Sequence, residues 1–221
     1  MENAIEIKHL FLNMNKKEIL KDINISFEEG KIHGLIGRNG SGKTMLMKCI
    51  CGFVRPSSGE ILVRKKIVGK DEDFPSDLGI IIETPGFIPY YSGYKNLSLL
   101  AGLNRKIDKE AVRQSMRDVG LDPDLKLPVK KYSLGMRQRL GIAQAIMEKP
   151  SILLLDEPFN GLDKDGLEEM RKYLLTCREC GQTVILVSHS AEDIRILCDT
   201  VSEMEKGCLQ KEKHTAKTLL S

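Results

Sequence analysis

Apolar residues recur along the chain with two different periods, which separate short strands from longer helices. Near the N-terminus, residues 3–9 and 23–27 alternate apolar and polar side chains, as strands with one buried face do. Further on, several apolar runs show no alternation, which is typical of parallel strands covered on both faces: 31–36, 78–82, 151–155 and 183–188. The chain is therefore predicted to combine an antiparallel N-terminal part with a mainly parallel α/β core sheet.

Helical periodicity takes over between residues 85 and 149. Apolar residues there lie three and four positions apart in segments joined by polar loops: 94–103, 108–119 and 134–147. We expect residues 85–149 to form a helical subdomain inserted into one α/β domain. The catalytic core of that domain would comprise residues 1–84 and 150–221.

Smaller elements complete the predicted order. Residues 56–59 are predicted to turn, residues 211–221 to form a frayed polar tail, and Ser190 with Asp193 to make a capping box at the start of a helix. The other predicted helices are 44–51 and 166–178, and the other predicted strands are 60–63, 67–68, 200–204 and 208–210.

The loop between the strand at 31–36 and the helix at 44–51 has the spacing of a phosphate-binding loop. Its glycines would let several backbone N–H groups turn toward phosphate oxygens, at the positive end of the helix dipole. Lys43 would bind the β- and γ-phosphates, and the Thr44 hydroxyl would bind Mg²⁺. The predicted nucleotide-binding residues are Gly37, Arg38, Asn39, Gly40, Ser41, Gly42, Lys43 and Thr44.

Two carboxylates follow the apolar run at 151–155. Because parallel strands end at one edge of the sheet, Asp156 is predicted to lie beside the phosphate loop and to hold Mg²⁺. Glu157 is then placed to polarise an attacking water. Taken alone, Asp-Glu after a strand is more often a helix cap or a turn, and only its combination with the phosphate loop favours catalysis.

Composition excludes several classes of protein. The net charge is only +3, from 34 basic and 31 acidic residues of interspersed sign, so no nucleic-acid-binding surface is expected. No apolar run approaches the length of a membrane span, and the polar N-terminus is unlike a signal peptide, so we expect a cytoplasmic chain without direct membrane insertion. Cys177 and Cys180 lack the second pair that a zinc site needs, which favours reduced, structural thiols.

Three further segments carry a family resemblance. Residues 132–139 (YSLGMRQR) look like the signature motif Leu-Ser-Gly-Gly-Gln, residues 160–163 (NGLD) match the D-loop, and His189 matches the switch histidine. With the phosphate loop and the Asp-Glu pair, these motifs occur in the order found in nucleotide-binding subunits of ABC transporters. The chain resembles that family over residues 4–210, which implies a P-loop NTPase of the ABC ATPase fold.

The resemblance implies how these residues act. In the family, two ATPase subunits pair head to tail, as a homodimer or a heterodimer, so Ser133 and Gly135 would cover ATP held by the other subunit. His189 would bind the γ-phosphate and orient water, and Asp163 would organise the dimer seam. Without the resemblance, Ser133 is an ordinary helix N-cap and His189 a structural hydrogen-bond donor.

The sequence departs from the family at three points. Glu83 replaces a common Gln at the entry to the helical subdomain, and its carboxylate remains a predicted Mg²⁺ ligand. Met14 stands near the position of the aromatic residue that stacks on adenine, which leaves adenine selectivity open. Leu134 and Met136 replace Gly and Gln of the usual signature, which could slow hydrolysis.

Residues 82–89 (IETPGFIP) together with residues 132–136 (YSLGM) are similar to the ATPases of bacitracin- and lantibiotic-type exporters. The resemblance implies an ATP-hydrolysing subunit, peripheral on the cytoplasmic face of the membrane, that drives a separate integral membrane permease exporting a peptide antibiotic or related amphiphile. Clustered aromatics at 87–94 would either contact that permease or pack within the subdomain. The alternatives are a soluble ABC ATPase outside transport and a catalytically weak regulatory subunit.

Overall fold

The computed structural model describes residues 2–83, 86–104 and 106–210. The predicted frayed tail at 211–221 lies outside the described residues, as do Thr84 and Pro85 at the entry to the predicted helical subdomain.

The N-terminal part is an antiparallel sheet of the order β2-β1-β4-β5. Its strands are β1 (Asn3–Met14), β2 (Lys17–Glu28), β4 (Ser58–Val63) and β5 (Lys66–Ile67). β1 and β2 are longer than the predicted segments. Register shifts interrupt their pairing and break the strict alternation of apolar and polar residues, so the alternation predicted only part of each strand. The predicted turn at 56–59 is wrong in its second half, since Ser58 and Gly59 already pair in β4.

The predicted buried strands form a second sheet of the order β10-β9-β3-β8-β7-β6. Its strands are β3 (Ile32–Ile36), β6 (Leu78–Ile81), β7 (Ile152–Asp156), β8 (Thr183–Val187), β9 (Thr200–Glu205) and β10 (Cys208–Leu209). All neighbours pair in parallel except β9 and β10. The carboxyl ends of β3, β6, β7 and β8 therefore share one edge of the sheet.

Within the described residues, six α-helices surround the sheets, with a short 3₁₀ helix at Val129–Lys131. They are α1 (Lys43–Ile50), α2 (Gly93–Asn104), α3 (Lys109–Asp118), α4 (Leu134–Ile146), α5 (Lys164–Glu179) and α6 (Ala191–Leu197). Side chains of Asp108, Ser133, Asp163 and Ser190 cap α3, α4, α5 and α6. None of the helices in the described ranges is long and apolar enough to cross a membrane.

Each strand of the parallel sheet contributes to two cores, because successive side chains point to opposite faces. Leu153 and Leu155 pack with the layer of helices α2 to α6. Ile152 and Leu154 pack with α1 and the antiparallel sheet on the other face. This double burial explains why these strands appear in the sequence as continuous apolar runs.

The six cysteines are free thiols, as predicted. Cys49, Cys51, Cys177 and Cys198 are buried, whereas Cys180 is exposed. Burial raises the pKa of the Cys49 and Cys51 thiols to about 12 and that of Cys177 to about 11. Across the ranges that the structure describes, no group of three or more His, Cys, Asp or Glu side chains could hold a metal by itself.

Candidate functional site

The loop that joins β3 to α1 has the backbone of an anion-binding loop. Gly37, Gly40 and Gly42 have φ angles of 142°, 78° and 109°, a region that other residues seldom adopt. At Gly37 a Cβ atom would lie 2.2 Å from the carbonyl oxygen of Met204, so a side chain is also excluded by space. Glycine is therefore required at position 37 and strongly favoured at positions 40 and 42.

Lys43 and Ser41 carry polar groups for which a phosphate would be a suitable partner. Lys43 Nζ donates to the carbonyl oxygens of Gly37 at 2.7 Å and Arg38 at 3.2 Å, so it lies folded along the loop. Burial lowers the pKa of Lys43, while the nearby charges of Asp156 and Glu157 oppose that shift. Ser41 Oγ is buried without a hydrogen-bond partner in the described chain. A phosphate group would satisfy it.

The Thr44 hydroxyl and the Asp156 carboxylate meet at the carboxyl end of β7. Thr44 Oγ1 donates to Asp156 Oδ2 at 2.8 Å, which joins the first turn of α1 to the strand end. Both are hard oxygen ligands of the kind Mg²⁺ prefers. Two protein oxygens suit an ion that takes its other ligands from water and from the phosphates of a nucleotide.

Glu157 is held in an unusual position just beyond β7. Its backbone has a φ of 51°, in the left-handed region, while its N–H donates to the carbonyl oxygen of Val187 at 3.0 Å. Its Oε1 is buried and accepts no hydrogen bond within the described residues, although His189 Nε2 lies 3.4 Å away. Burial raises the pKa of Glu157, and the His189 charge partly opposes this shift. A raised pKa is common for groups that exchange protons in catalysis.

These residues border one open cleft of about 680 Å³ at the carboxyl edge of the parallel sheet. The cleft brings together nine of the predicted site residues: Asn39, Gly40, Gly42, Lys43, Thr44, Glu83, Asp156, Glu157 and His189. Leu134 and Gln138 of the signature segment and Asn160 of the D-loop segment also line it, and the lining residues that the sequence did not indicate are Ile19, Met45 and Val187.

Glu83 is engaged with a residue that sequence reasoning missed. Its Oε1 lies 2.6 Å from Lys48 Nζ, although its side chain is 63% exposed. Lys48 lies one helical turn after Thr44 on α1, so both residues face the same side of the helix. That spacing of four from a predicted ligand is the signal that could have identified Lys48.

Met14 does not line the cleft. It ends β1 next to the turn into β2, and its side chain is exposed. Ile19, on β2, is the apolar residue from this hairpin that does border the cleft beside the phosphate loop. Counting along the sequence could not distinguish the two positions, because the turn geometry at 15–16 decides which side chain reaches the cleft.

Ser133 and Gly135, the signature residues predicted to cover ATP, do not line the cleft and serve local structure, whereas Leu134 and Gln138 of the same segment border it. Ser133 Oγ accepts the N–H of Met136 at 3.1 Å and so caps α4. A Cβ on Gly135 would lie 2.7 Å from the carbonyl oxygen of Gly161, so glycine lets α4 approach the loop before α5 closely. Asp163 caps α5 by accepting the N–H of Gly166 at 3.1 Å.

The model of the ABC transporter family matches residues 20–160. The chain belongs to the ABC transporter family. It is 42% identical over 206 residues to the uncharacterized ABC transporter ATP-binding protein YybJ of Bacillus subtilis, covering 93% of this chain and 94% of YybJ. It is 39% identical to the bacitracin transport ATP-binding protein BcrA of Enterococcus faecalis, covering 96% and 70%. It is 33% identical to the lantibiotic transport ATP-binding protein SrtF of Streptococcus pyogenes, covering 95% and 90%.

Solved structures agree on the fold of this ABC ATPase. The dimeric post-hydrolysis structure of the ATP-binding cassette MJ0796, bound to ADP and Pi, superposes with a TM-score of 0.84 at 21% identity, over 95% of this chain and 98% of that one. The predicted family and fold are therefore confirmed. The chain is an ATP-binding subunit of an ABC transporter and an ATPase whose activity is coupled to transport.

Proposed function

We propose that two copies of this chain bind Mg²⁺ and ATP between them, head to tail, and hydrolyse ATP to drive a separate membrane permease. One observation carries the proposal. The phosphate loop faces an open cleft, while Ser133 and Gly135 form the start of α4 outside the lining of that cleft. A helix N-terminus with no ligand of its own is suited to a phosphate presented by another subunit.

In the proposed dimer, the phosphate loop would hold ATP by its backbone N–H groups. Lys43 would leave the carbonyl oxygens of its own loop for the β- and γ-phosphates, and Ser41 would donate its unpaired hydroxyl. Ile19 and Met45 supply the apolar surface nearest the loop, and we assign the contact with the base to Ile19 rather than Met14.

Thr44, Asp156 and Glu83 are the residues that would hold Mg²⁺. Mg²⁺, when bound, neutralises negative charge that develops on the phosphates. Thr44 and Asp156 are already joined at 2.8 Å, whereas Glu83 must first separate from Lys48. Glu83 is thus the mobile member of the set, and its loss should have the smaller effect.

Glu157 would act as the general base on the attacking water. Its buried Oε1 accepts no hydrogen bond from the described residues and could take a proton from water, and its raised pKa favours holding that proton. His189, 3.4 Å from the same oxygen, would orient the water and contact the γ-phosphate. Asp163 would contact the partner subunit from the start of α5.

The subunit would associate with the cytoplasmic face of the membrane through the permease. We propose that residues 85–149 act as the inserted helical subdomain and present the contact surface, which includes the exposed Tyr90. The names of BcrA and SrtF, bacitracin and lantibiotic transport proteins, support a peptide antibiotic or a related amphiphile as the exported substrate.

Complementation between two inactive variants tests the head-to-tail dimer. Lys43→Ala removes the phosphate-loop charge and Ser133→Arg obstructs the signature, and each alone should abolish turnover. When the two differently tagged chains are co-expressed with the permease, each mixed dimer should retain one intact composite site. Turnover should then recover to about a quarter of the wild-type rate, because half of the dimers are mixed and each has one of two sites.

The control is a chain that carries both substitutions, mixed with wild type. Such a mixed dimer has one defect in each composite site and should add no activity beyond that of the wild-type dimers. If Lys43→Ala and Ser133→Arg chains do not complement each other, although a pull-down shows that they form a mixed dimer, the head-to-tail arrangement is refuted.

A further inference from the structure

A buried ion pair lies directly behind the segment that carries His189. Arg171, on α5, donates from Nε to Asp193 Oδ1 on α6 at 2.9 Å. The Arg171 side chain is only 11% exposed, and Asp193 is almost fully buried. Charges that are removed from water to this extent must be paired closely, because each carries a large desolvation cost.

The same carboxylate continues into the His189 segment. Asp193 Oδ2 accepts the hydroxyl of Ser188 at 3.1 Å. Ser188 Oγ in turn accepts the N–H of Ser190 at 3.1 Å, and Ser190 Oγ accepts the N–H of Asp193 at 3.2 Å. These hydrogen bonds fix the residues on both sides of His189, so Asp193 does more than cap a helix.

The predicted capping box at this helix is therefore only half right. Ser190 does cap α6, but the Asp193 carboxylate binds Arg171 and Ser188 instead of returning to the N–H of Ser190. The N–H of Ser190 is bound by Ser188 Oγ. The Asp193 carboxylate, which in a capping box would accept the N–H of Ser190, here accepts the hydroxyl of Ser188, the residue before His189.

We propose that Asp193, oriented by Arg171, is a positioning residue that acts through Ser188 to aim the His189 imidazole at Glu157. The inference rests on the role proposed for His189. The His189 side chain is 52% exposed, and its Nε2 lies 3.4 Å from Glu157 Oε1, which is too far for this contact to hold the ring firmly. The buried bonds on either side of it fix the backbone from which the ring extends.

Arg171 also provides a matched control. Its guanidinium binds Glu192 at 3.1 Å, but that carboxylate is 59% exposed and lies on the solvent side of the same arginine. Glu192→Gln and Asp193→Asn each remove one negative charge from the same ion-pair network. Only Asp193→Asn changes the carboxylate that binds Ser188.

The test uses the ATPase purified with its permease. Ser188→Ala leaves the Arg171–Asp193 pair in place, so it remains informative if Asp193→Asn fails to fold. We expect Ser188→Ala to lower kcat by about tenfold or more, because a small misorientation of a catalytic group has an effect of that order. KM for ATP should stay close to the wild-type value, and the melting temperature should fall because the buried Asp193 Oδ2 loses a hydrogen bond. Glu192→Gln should have wild-type kcat.

The decisive measurement repeats Ser188→Ala in a His189→Ala background. If Ser188 acts through His189, its substitution should lower kcat no further there. An additive loss, or a kcat for Ser188→Ala equal to that of Glu192→Gln, would overturn the inference and leave the role of His189 intact. Wild-type turnover in His189→Ala alone would refute the proposed role of His189, and this inference with it.

Discussion

The phosphate loop and the N-terminus of α4 are both suited to bind an anion, but the chain equips them differently. At the loop, four side chains border one cleft: Lys43, Thr44, Asp156 and Glu157. Lys43 donates to carbonyl oxygens of its own loop, and Thr44 donates to Asp156. Ser41 Oγ and Glu157 Oε1 have no hydrogen-bond partner in the described residues. At α4, Ser133 is engaged by its own helix and does not line the cleft, although the next residue, Leu134, borders it. The phosphate loop therefore has polar groups available for a ligand, whereas the Ser133 hydroxyl already stabilises its own helix.

The difference separates two kinds of mutational effect. Substitutions at Ser41 and Glu157 should change turnover with little loss of stability, because Ser41 Oγ and Glu157 Oε1 have no hydrogen-bond partner in the described residues and the Glu157 backbone is strained. Substitutions at Ser133 should change both, because its hydroxyl stabilises α4 and, in the proposed dimer, contacts a phosphate.

The largest expected effect comes from Glu157→Gln. Removal of a general base should lower the ATPase rate by about 10²–10⁴-fold, while ATP binding is retained because the phosphate loop is unchanged. The variant should accumulate as a closed dimer with ATP, visible by size-exclusion chromatography. ATPase turnover equal to that of the wild type would reject Glu157 as the principal base.

Ser133→Ala should have an intermediate effect, and it tests whether the N-terminus of α4 does more than stabilise its own helix. Loss of an N-cap costs about 1 kcal/mol of folding free energy, which a denaturant titration will detect. Asp108→Ala is the matched control, since Asp108 caps α3 by accepting the N–H of Ala111 at 2.8 Å. Both variants should lose similar stability, but only Ser133→Ala should also lose turnover. Equal turnover in the Ser133→Ala and Asp108→Ala variants would show that Ser133 acts only as a helix cap.

A smaller effect is expected where Glu83 meets Lys48. Glu83→Gln removes one carboxylate from the proposed Mg²⁺ ligands, so the Mg²⁺ concentration for half-maximal turnover should rise. Lys48→Met frees the same carboxylate and should shift that concentration the opposite way. Both should stay within about 1 kcal/mol of wild-type stability, since the pair is partly exposed. A shift of the two variants in the same direction would contradict Glu83 as a ligand.

The smallest effect is the pH dependence of stability at Glu157. Burial raises its pKa in the folded chain above the ordinary value of 4.5, so its contribution to stability is present below that value and is lost as the pH rises through the folded-state pKa. Glu157→Gln has no carboxylate to desolvate. Its melting temperature should therefore exceed that of the wild type at neutral pH, and the difference should vanish as the pH approaches 4.5.

Residues at the ends of buried strands were the part of the site that the sequence predicted well. A continuous apolar run such as 151–155 identifies its own strand, and parallel packing then brings Asp156 to the phosphate loop. Helix boundaries were predicted within a few residues where a cap marks them, as at Ser133 and Ser190.

Residues brought to the site by tertiary contacts were missed. Ile19 depends on the turn that joins β1 to β2, Lys48 on the approach of Glu83, and Arg171 on the packing of α5 against α6. None of these follows from local spacing alone, because each requires knowing which surfaces meet. The unexpected use of Asp193 has the same origin: Arg171 attracts its carboxylate more strongly than a backbone N–H does.

The distribution of the thiols makes the natural chain a ready substrate for site-selective labelling. Thiolates are the reactive form, and burial keeps Cys49, Cys51 and Cys198 protonated, with pKa values of about 12. Cys180, the exposed thiol at the end of α5, should therefore react first with a maleimide dye at neutral pH. In the proposed dimer, a dye on Cys180 of each subunit would report on the separation of the subunits by fluorescence, with Cys208→Ser removing the other thiol that is not buried.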